Sequence, residues 1–288
     1  MFKKIVSLTV PHYVIMSVLT ILFANLFINE ELPNITLGIG ALLLAVAIIS
    51  FNMFNMTQDI KLDSYKKRDR PLVKGDFDKK QIIKISIILY LLVIGIIVLS
   101  ESGLGKYWPV LIFVFLSIAY STRFLYLKKQ LFASNVFGMV LYATIPILLV
   151  FSTTNKVNYF YLYFFSIIMF FIATTKEFED YEIEKINNFK SMTTLFGVGK
   201  TKKIIIGGIN LFLLINLFLS LIRIISQNMI LPILLGFILT NTFFRKVLQG
   251  PIEENITSQS KLVTHTMSYF IMLQLLFYLH QFFSVAFL

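Results

Sequence analysis

Long apolar runs separated by short polar segments make up nearly the whole chain. Nine of these runs approach the ~20 residues that an α-helix needs to cross the hydrocarbon core of a bilayer. We therefore predict an all-α membrane protein whose nine transmembrane helices form a bundle. The predicted spans are approximately 8–28, 35–55, 81–100, 107–126, 131–151, 157–176, 203–224, 229–247 and 264–287.

The composition also indicates an integral membrane protein. Hydrophobic residues make up 57% of the 288 residues, and only 14% are charged, against roughly 25% in soluble domains. The mean hydropathy is +0.80. No stretch has the composition of a soluble domain, so we expect residues 1–288 to form a single intramembrane domain. The sequence contains no cysteine, which excludes disulfides and thiolate metal sites, and its three scattered histidines do not suggest a zinc site.

Basic residues are distributed unequally between the two sides of the predicted bundle. All but three of the 26 Lys and Arg residues fall on the side that holds the N-terminus; the exceptions are Lys106, Lys156 and Arg223. The positive-inside rule therefore predicts that the N-terminus and the longer loops are cytoplasmic. This topology explains the formal net charge of +11 without nucleic acid as a partner. We expect a multi-pass protein of a prokaryotic cell membrane.

Two acidic clusters share a four-residue spacing, and each lies where an apolar run ends. The clusters are Asn55, Asp59 and Asp63, and Lys176, Glu177, Asp180 and Glu184. Residues four apart share one face of a helix, so two such faces opposed across a bundle offer Mg²⁺ the hard oxygen ligands it prefers. The predicted metal ligands are Asn55, Asp59, Asp63, Glu177, Asp180 and Glu184. The predicted catalytic carboxylates among them are Asp59, Asp63, Asp180 and Glu184.

Basic residues follow both clusters and give the predicted site a second component. The planar guanidinium group of arginine suits bidentate contacts with phosphate, so carboxylates beside Arg and Lys indicate a site for Mg²⁺ and a diphosphate. The predicted diphosphate contacts are Asn55, Arg68, Arg70, Lys128, Lys176 and Lys190. Basic loops at a membrane surface also attract anionic lipid headgroups, and the two roles are compatible.

These motifs resemble the signatures of the UbiA superfamily of intramembrane polyprenyl transferases. N-x-x-x-D-x-x-x-D followed by R-D-R-P-L is similar to the first signature, and K-E-F-E-D-Y-E-I-E-K is similar to the second. The segment Y-S-T-R-F-L-Y-L-K-K, residues 120–129, is similar to the family's segment after the fourth span. The resemblance covers essentially the whole chain. It implies a helical bundle around a central cavity that opens sideways to lipid, with Mg²⁺ as cofactor.

Two positions depart from the family pattern. Met56 stands where many members have Asp, and Glu184 stands where the second signature usually ends in Asp. The extra methylene of glutamate moves the carboxylate by roughly one bond length, which alters the geometry of the metal site. Both departures leave the other carboxylates of the two signatures in place.

The resemblance implies transfer of a prenyl group from a polyprenyl diphosphate to a lipophilic or aromatic acceptor. On the breadth of family use, we favour an aromatic, quinone-type acceptor. The alternatives are a glycerol-phosphate lipid, as in archaeal-type ether lipids, and a terpene cyclase that quenches the cation internally. A transporter fits poorly, because the predicted spans contain almost no ionisable residues.

Aromatic side chains offer a further feature of the expected chemistry, because their faces stabilise cations. Tyr120 and Tyr142 are candidates to face an allylic cation, although packing is the commoner role for aromatic residues in a chain with 30 Phe and 13 Tyr.

Overall fold

The computed structural model describes residues 2–66, 70–122, 127, 130–249 and 256–286, and within these ranges the regular elements are all helical. The first half of the chain forms α1 (Phe2–Thr9), α2 (Pro11–Asn29), α3 (Ile35–Lys66), α4 (Lys79–Leu99), α5 (Gly103–Ser121), α6 (Ala133–Met139) and α7 (Ile145–Thr154). The second half forms α8 (Tyr159–Ala173), α9 (Thr175–Ile186), α10 (Met192–Phe196), α11 (Val198–Leu221), α12 (Ile230–Leu239), α13 (Arg245–Gln249) and α14 (Ile256–Ala286).

Nine helical stretches in the described residues are long and apolar enough to cross a membrane, which confirms the predicted fold class. They are Pro11–Asn29, Ile35–Lys61, Lys79–Leu99, Gly103–Ser121, Ala133–Thr154, Tyr159–Phe178, Val198–Leu221, Gln227–Gln249 and Leu262–Ser284. Each overlaps one predicted span. The fifth and eighth consist of two α-helices joined by a wider π turn, at Val140–Thr144 and Thr240–Phe244.

The helices close into a ring. Helix α3 packs against α2, α4, α5 and α7, and α8 packs against α6, α11 and α14. Packing of α14 on α2 joins the last span to the first. Large side chains fill the interior; those that are almost fully buried include Tyr161, Phe164, Phe165, Phe270 and Phe277. Burial of such side chains is worth about 1.5–3 kcal/mol each relative to water, although lipid reduces that difference for a membrane protein.

Two helices carry the acidic clusters, and neither ends where the predicted span ends. Helix α3 continues from the predicted boundary at residue 55 to Lys66, so the first cluster lies on regular helix. The sixth span is interrupted at Thr174, after which α9 begins and carries the second cluster. Polar residues extend both helices beyond the apolar run because backbone hydrogen bonding does not require a hydrophobic side chain.

The π turn at Val140–Thr144 comes just before Pro146. Proline lacks a backbone N–H and its ring clashes with the preceding turn, so regular α-helical bonding is lost there. Wider turns of this kind often occur at functional sites. Here the turn carries Tyr142, whose buried ring stacks on Tyr13 of α2 with the ring centroids 4.7 Å apart.

Candidate active site

A polar cavity of about 720 Å³ lies where α3, α5, α6 and α9 meet at one end of the bundle. The twelve lining residues are Asn55, Asp59, Asp63, Arg70, Tyr120, Ser134, Lys176, Glu177, Asp180, Ile183, Glu184 and Phe189. The two acidic clusters, more than a hundred residues apart in sequence, therefore face the same space. This convergence is the geometry that the shared spacing predicts.

The first cluster is held in place by hydrogen bonds within α3 and to α5. The side-chain amide of Asn55 donates to Asp59 Oδ2 at 2.9 Å. Its oxygen accepts a bond of 3.3 Å from the hydroxyl of Ser121, the last residue of α5. These contacts orient two of the predicted ligands and join α5 to the wall of the cavity.

Arg70 lies beside the buried carboxylate of Asp63, with 2.5 Å between Nη1 and Oδ2. Burial lowers the pKa of Arg70, but the carboxylates of Asp63, Asp180 and Asp59 outweigh that effect and raise it, so the guanidinium remains charged. The cavity thus contains a permanent cation among its acids. Such a group suits the binding of phosphate oxygens.

The turn that follows α3 places Arg70 at the rim of the cavity. The carbonyl oxygen of Arg70 accepts bonds from the backbone N–H groups of Val73 and Lys74 at 3.0 Å. Gly75 has a positive φ of 74°, a conformation that suits glycine, and lets the chain reverse there. Leu72 is buried in a small apolar cluster with Leu8, Met53, Met56 and Ile82. This anchor fixes the turn against α1, α3 and α4.

Glu184 is the carboxylate most affected by its surroundings. Burial raises its pKa to about 8, and neighbouring Asp180 and Glu177 add to the effect against a hydrogen bond from Ser191. Its Oε2 atom is buried and has no hydrogen-bond partner among the described residues. A buried carboxylate oxygen without a partner is costly, and a bound cation would satisfy it.

Glu177 lies deeper than the other acids and is 2% exposed. The Ser134 hydroxyl donates to its Oε1 at 2.6 Å, and the backbone N–H of Thr193 donates to its Oε2 at 3.3 Å. Both oxygens therefore have partners from other helices. Glu177 differs in this respect from Glu184.

An apolar chamber of about 560 Å³ adjoins the polar cavity, and Tyr120, Ser134 and Lys176 line both. Its other lining residues are Tyr13, Met16, Phe51, Phe137, Gly138, Tyr142, Met169, Ile172, Ala173, Thr175, Val263, Thr266 and Met267. Stacked aromatic rings form part of its wall, with 3.8 Å between the centroids of Tyr120 and Phe137. A hydrophobic chain extending from a group in the polar cavity would enter this space.

A more open groove lies on the outer side of the chamber, between α2 and α14. Met16 and Met267 line both the chamber and the groove. Apolar residues such as Ile15 and Ile271 make up most of the groove, with His12 among its few polar residues. The cavity, the chamber and the groove are therefore neighbours, and each shares lining residues with the next.

Comparison with known proteins identifies the family. The sequence model of the UbiA prenyltransferase family matches residues 17–277. The chain belongs to the UbiA prenyltransferase family. By this membership it is a prenyltransferase, as the motifs predict. No curated protein sequence matches it significantly.

Solved structures share the fold of this prenyltransferase over nearly its whole length. A digeranylgeranylglyceryl phosphate synthase is 19% identical, with a TM-score of 0.63 over 97% of this chain and 98% of that chain. A UbiA homolog from Archaeoglobus fulgidus bound to GPP and Mg²⁺ is 16% identical, with a TM-score of 0.64 over 98% and 99%. A UbiA homolog from Aeropyrum pernix K1 is 12% identical, with a TM-score of 0.59 over 95% and 98%. At these identities the likeness establishes the fold.

The donor atoms in the cavity of this prenyltransferase are of the type that Mg²⁺ prefers. All are hard carboxylate or amide oxygens, and the unpartnered Oε2 of Glu184 is among them. Among the described residues, however, no three acidic or histidine side chains are close enough to form a complete metal site. Mg²⁺ usually takes one or two carboxylates together with substrate phosphates, so this arrangement fits an ion that binds with a diphosphate.

The structure brings most of the predicted site residues of the prenyltransferase into one cavity, but not all. Eight of them line it: Asn55, Asp59, Asp63, Arg70, Lys176, Glu177, Asp180 and Glu184. Lys190 is exposed and is not among the lining residues, because the chain turns away from α9 before it. Arg68 and Lys128 lie outside the described residues.

Among the residues that border the site of the prenyltransferase and that sequence reasoning missed, two carry polar groups next to the predicted site. Ser134 lines both the cavity and the chamber, and Tyr13 lines the chamber. Ser134 opens the fifth span on the same side as the acidic clusters, which is a usable signal for a polar residue near the site. Tyr13 has no such signal, since one tyrosine among 13 resembles any packing residue. Tyr120 and Tyr142, both singled out from the sequence, line the chamber.

Proposed function

We propose that this protein binds a polyprenyl diphosphate with Mg²⁺ in the polar cavity and transfers the prenyl group to an acceptor that reaches the chamber from the membrane. One observation supports this most strongly: two acidic clusters and Arg70 face a cavity that adjoins an aromatic-walled apolar chamber. The solved relatives bound to GPP and Mg²⁺, or to DMAPP and Mg²⁺, have this fold and support the same donor class.

In this proposal, the diphosphate occupies the polar cavity and the prenyl chain occupies the chamber. Asn55, Asp59, Asp63, Asp180 and Glu184 hold Mg²⁺, which when bound neutralises part of the diphosphate charge. Arg70 and Lys176 supply further positive charge to the leaving group as the bond between its oxygen and the prenyl C1 carbon breaks. The remaining predicted diphosphate contacts, Arg68, Lys128 and Lys190, stay predictions.

The chamber has the features that the resulting allylic cation requires. Its apolar wall excludes water, which would otherwise trap the cation as an alcohol. Tyr120, Tyr142 and Phe137 present aromatic rings along that wall, and such faces stabilise positive charge. Once the bond between C1 and diphosphate has broken, the acceptor forms the new bond to C1 and loses one proton.

The lateral groove supports an acceptor that is itself a membrane lipid. A lipid-tailed acceptor can lie against Ile15, Leu19 and Ile271 while its reactive group reaches the chamber past Met16 and Met267. Among the open alternatives this favours a glycerol-phosphate lipid, and a relative of this fold is a digeranylgeranylglyceryl phosphate synthase. The aromatic, quinone-type acceptor favoured from the sequence is the second candidate, supported by the stacked rings of the chamber.

The orientation belongs to the same proposal. The cavity opens at the end of the bundle where the basic residues of the loops are concentrated, so we place it on the cytoplasmic side of a prokaryotic cell membrane. Charged prenyl diphosphates made in the cytoplasm would reach it directly.

Product analysis tests the acceptor. Purified protein in lipid nanodiscs would receive radiolabelled geranylgeranyl diphosphate, Mg²⁺ and either a geranylgeranylglyceryl phosphate or an aromatic quinone precursor. Labelled product with the glycerol-phosphate lipid supports the first candidate, and labelled product with only the aromatic compound supports the second. A cyclised hydrocarbon formed without any acceptor would show a terpene cyclase and contradict transfer.

A further inference from the structure

We propose that Glu177 is a positioning residue that fixes α9 against α6 and α10, and that it does not bind the metal. This role rests on the proposed function, since the helix it positions carries three of the residues assigned to Mg²⁺ and diphosphate. It revises the metal-ligand role that the sequence analysis predicts for Glu177.

The hydrogen bonds of Glu177 leave its two oxygens engaged by protein groups. The Ser134 hydroxyl on α6 bonds one oxygen at 2.6 Å, and the Thr193 backbone N–H on α10 bonds the other at 3.3 Å. The side chain is 2% exposed. Each oxygen keeps a second lone pair, but the two bonds turn the carboxylate towards α6 and α10 in a site that is almost fully buried, so an ion could approach it only past these partners. Glu184, with its unpartnered Oε2, has no such obstacle.

The contacts of Glu177 belong to a larger polar junction at the start of α9. The Asn135 amide of α6 donates to the Thr174 hydroxyl, and the Thr201 hydroxyl of α11 donates to the backbone carbonyl of Met192 at 3.1 Å. Ser191 and Thr194 bond each other's backbone N–H groups in a capping box that begins α10. Glu177 lies within this junction and contacts two of its helices, α6 and α10.

The break at Thr174 explains why α9 needs such a junction. Helix α8 ends at Ala173 and α9 begins at Thr175; Thr174 keeps helical backbone angles, but the backbone N–H of Glu177 bonds to its carbonyl only three residues back, so regular α-helical hydrogen bonding is interrupted there. Lys176, Asp180 and Glu184 all lie on α9 and face the cavity. A shift of α9 would therefore move three site residues together. Groups that orient metal ligands are often nearly as important to a site as the ligands themselves.

Two substitutions at the same position separate the two roles. In Glu177→Gln, the new amide oxygen can accept from Thr193 while its nitrogen donates to the Ser134 hydroxyl, so the junction survives although the carboxyl group is lost. Glu177→Ala removes both contacts. If Glu177 were a metal ligand, both variants would weaken metal binding, because the neutral amide oxygen of glutamine attracts Mg²⁺ less strongly than a charged carboxylate does. Asp180→Asn is the matched control on the same helix, since Asp180 keeps its predicted ligand role.

The experiment measures Mn²⁺ binding by electron paramagnetic resonance in the presence of inorganic diphosphate, together with kcat and the thermal midpoint. We expect Glu177→Gln to keep its Mn²⁺ Kd and kcat within about threefold of wild type, whereas Asp180→Asn weakens Mn²⁺ binding by about tenfold or more. We expect Glu177→Ala to lose about 10- to 100-fold in kcat and to unfold at a lower temperature. A Glu177→Gln variant that loses Mn²⁺ as severely as Asp180→Asn would overturn the proposal.

Ser134→Ala provides a second test, because it removes the hydrogen bond to Glu177 from the other side. If the two side chains act as one unit, adding Ser134→Ala to Glu177→Ala costs nothing further in kcat or thermal midpoint. Fully additive losses would contradict the proposal. Additive losses in the double variant can be told apart from a failure of the proposed function. In that second case, the wild-type protein itself would show no metal-dependent prenyl transfer.

Discussion

At the scale of single residues, the cavity combines carboxylates in different states. Asp63 is buried in an ion pair with Arg70, while burial raises the pKa of Glu184 to about 8. Glu177 is buried with both oxygens hydrogen-bonded. All three carboxyl groups belong to the two acidic clusters of the sequence, yet their different neighbours give them different properties.

The raised pKa of Glu184 predicts a dependence of stability on pH. Its pKa is about 8 in the folded protein against 4.5 as the ordinary value, so the folded state binds the proton more tightly. Without Mg²⁺, the contribution of Glu184 to stability is therefore fully present below about pH 4.5 and is lost as pH rises towards about 8. We expect the thermal midpoint of the wild type to fall over this range relative to that of Glu184→Gln. Parallel curves for the two proteins would contradict the assignment.

Arg70 should affect both the diphosphate and the buried carboxylate of Asp63. We expect Arg70→Gln to raise the KM for the prenyl diphosphate by about tenfold, and to destabilise the protein by about 1–3 kcal/mol because Asp63 loses a charged partner. Steady-state kinetics and thermal unfolding measure the two effects. Lys79→Gln is the control, since Lys79 is exposed at the start of α4 and does not line the cavity. An unchanged KM in Arg70→Gln would contradict a contact between Arg70 and the diphosphate.

At the scale of helices, the site depends on the close approach of α6 and α8. A Cβ atom added at Gly138 would lie 2.6 Å from the Cβ of Ala173, closer than two carbon atoms can pack. Both residues line the chamber, so a separation of the two helices would also change its shape. The small side chains at this crossing are needed for the packing that brings Ser134 to Glu177.

We therefore expect Gly138→Ala to destabilise the protein by about 1–3 kcal/mol through overpacking. Gly38→Ala is the matched control, because nothing lies within 4 Å of a Cβ atom at that position in α3. That substitution should be neutral or stabilising by up to about 1 kcal/mol, from the better helix propensity of alanine. Thermal unfolding in one detergent compares the two, and equal midpoints would contradict the close packing.

At the scale of the whole molecule, the three neighbouring spaces suggest a path from the side of the bundle to its charged end, which we propose as the route of the lipid substrates. Met16 of α2 and Met267 of α14 lie where the groove meets the chamber. The path depends on the contact between the first and last spans. A long prenyl chain or a lipid acceptor must use more of this path than a short donor.

A larger side chain where the groove meets the chamber should therefore reduce activity more with a long prenyl donor than with a short one. We expect Met267→Trp to lower kcat/KM for geranylgeranyl diphosphate by about tenfold, while diphosphate release from dimethylallyl diphosphate changes little. Met272→Trp, on the exposed edge of the groove, is the control and should behave like wild type. Equal losses with both donors in Met267→Trp would contradict the path.

The sequence predicts the spans and the two facing clusters because both depend on local periodicity. An apolar run of about 20 residues and a four-residue spacing are readable without knowing any tertiary contact. The roles of Glu177 and Lys190 are not readable in this way. Glu177 receives its hydrogen bonds from residues 43 and 16 positions away, and the exposure of Lys190 follows from the turn after α9.

The central claim is that the two acidic clusters act together to ionise a prenyl diphosphate. The most direct test is diphosphate release from geranylgeranyl diphosphate by purified protein, with and without Mg²⁺, in wild type, Asp59→Asn and Asp180→Asn. We predict Mg²⁺-dependent release by the wild type and a loss of at least about 100-fold in each variant, one from each cluster. Full activity in either variant, or no release by folded wild-type protein with any donor length, would contradict the account.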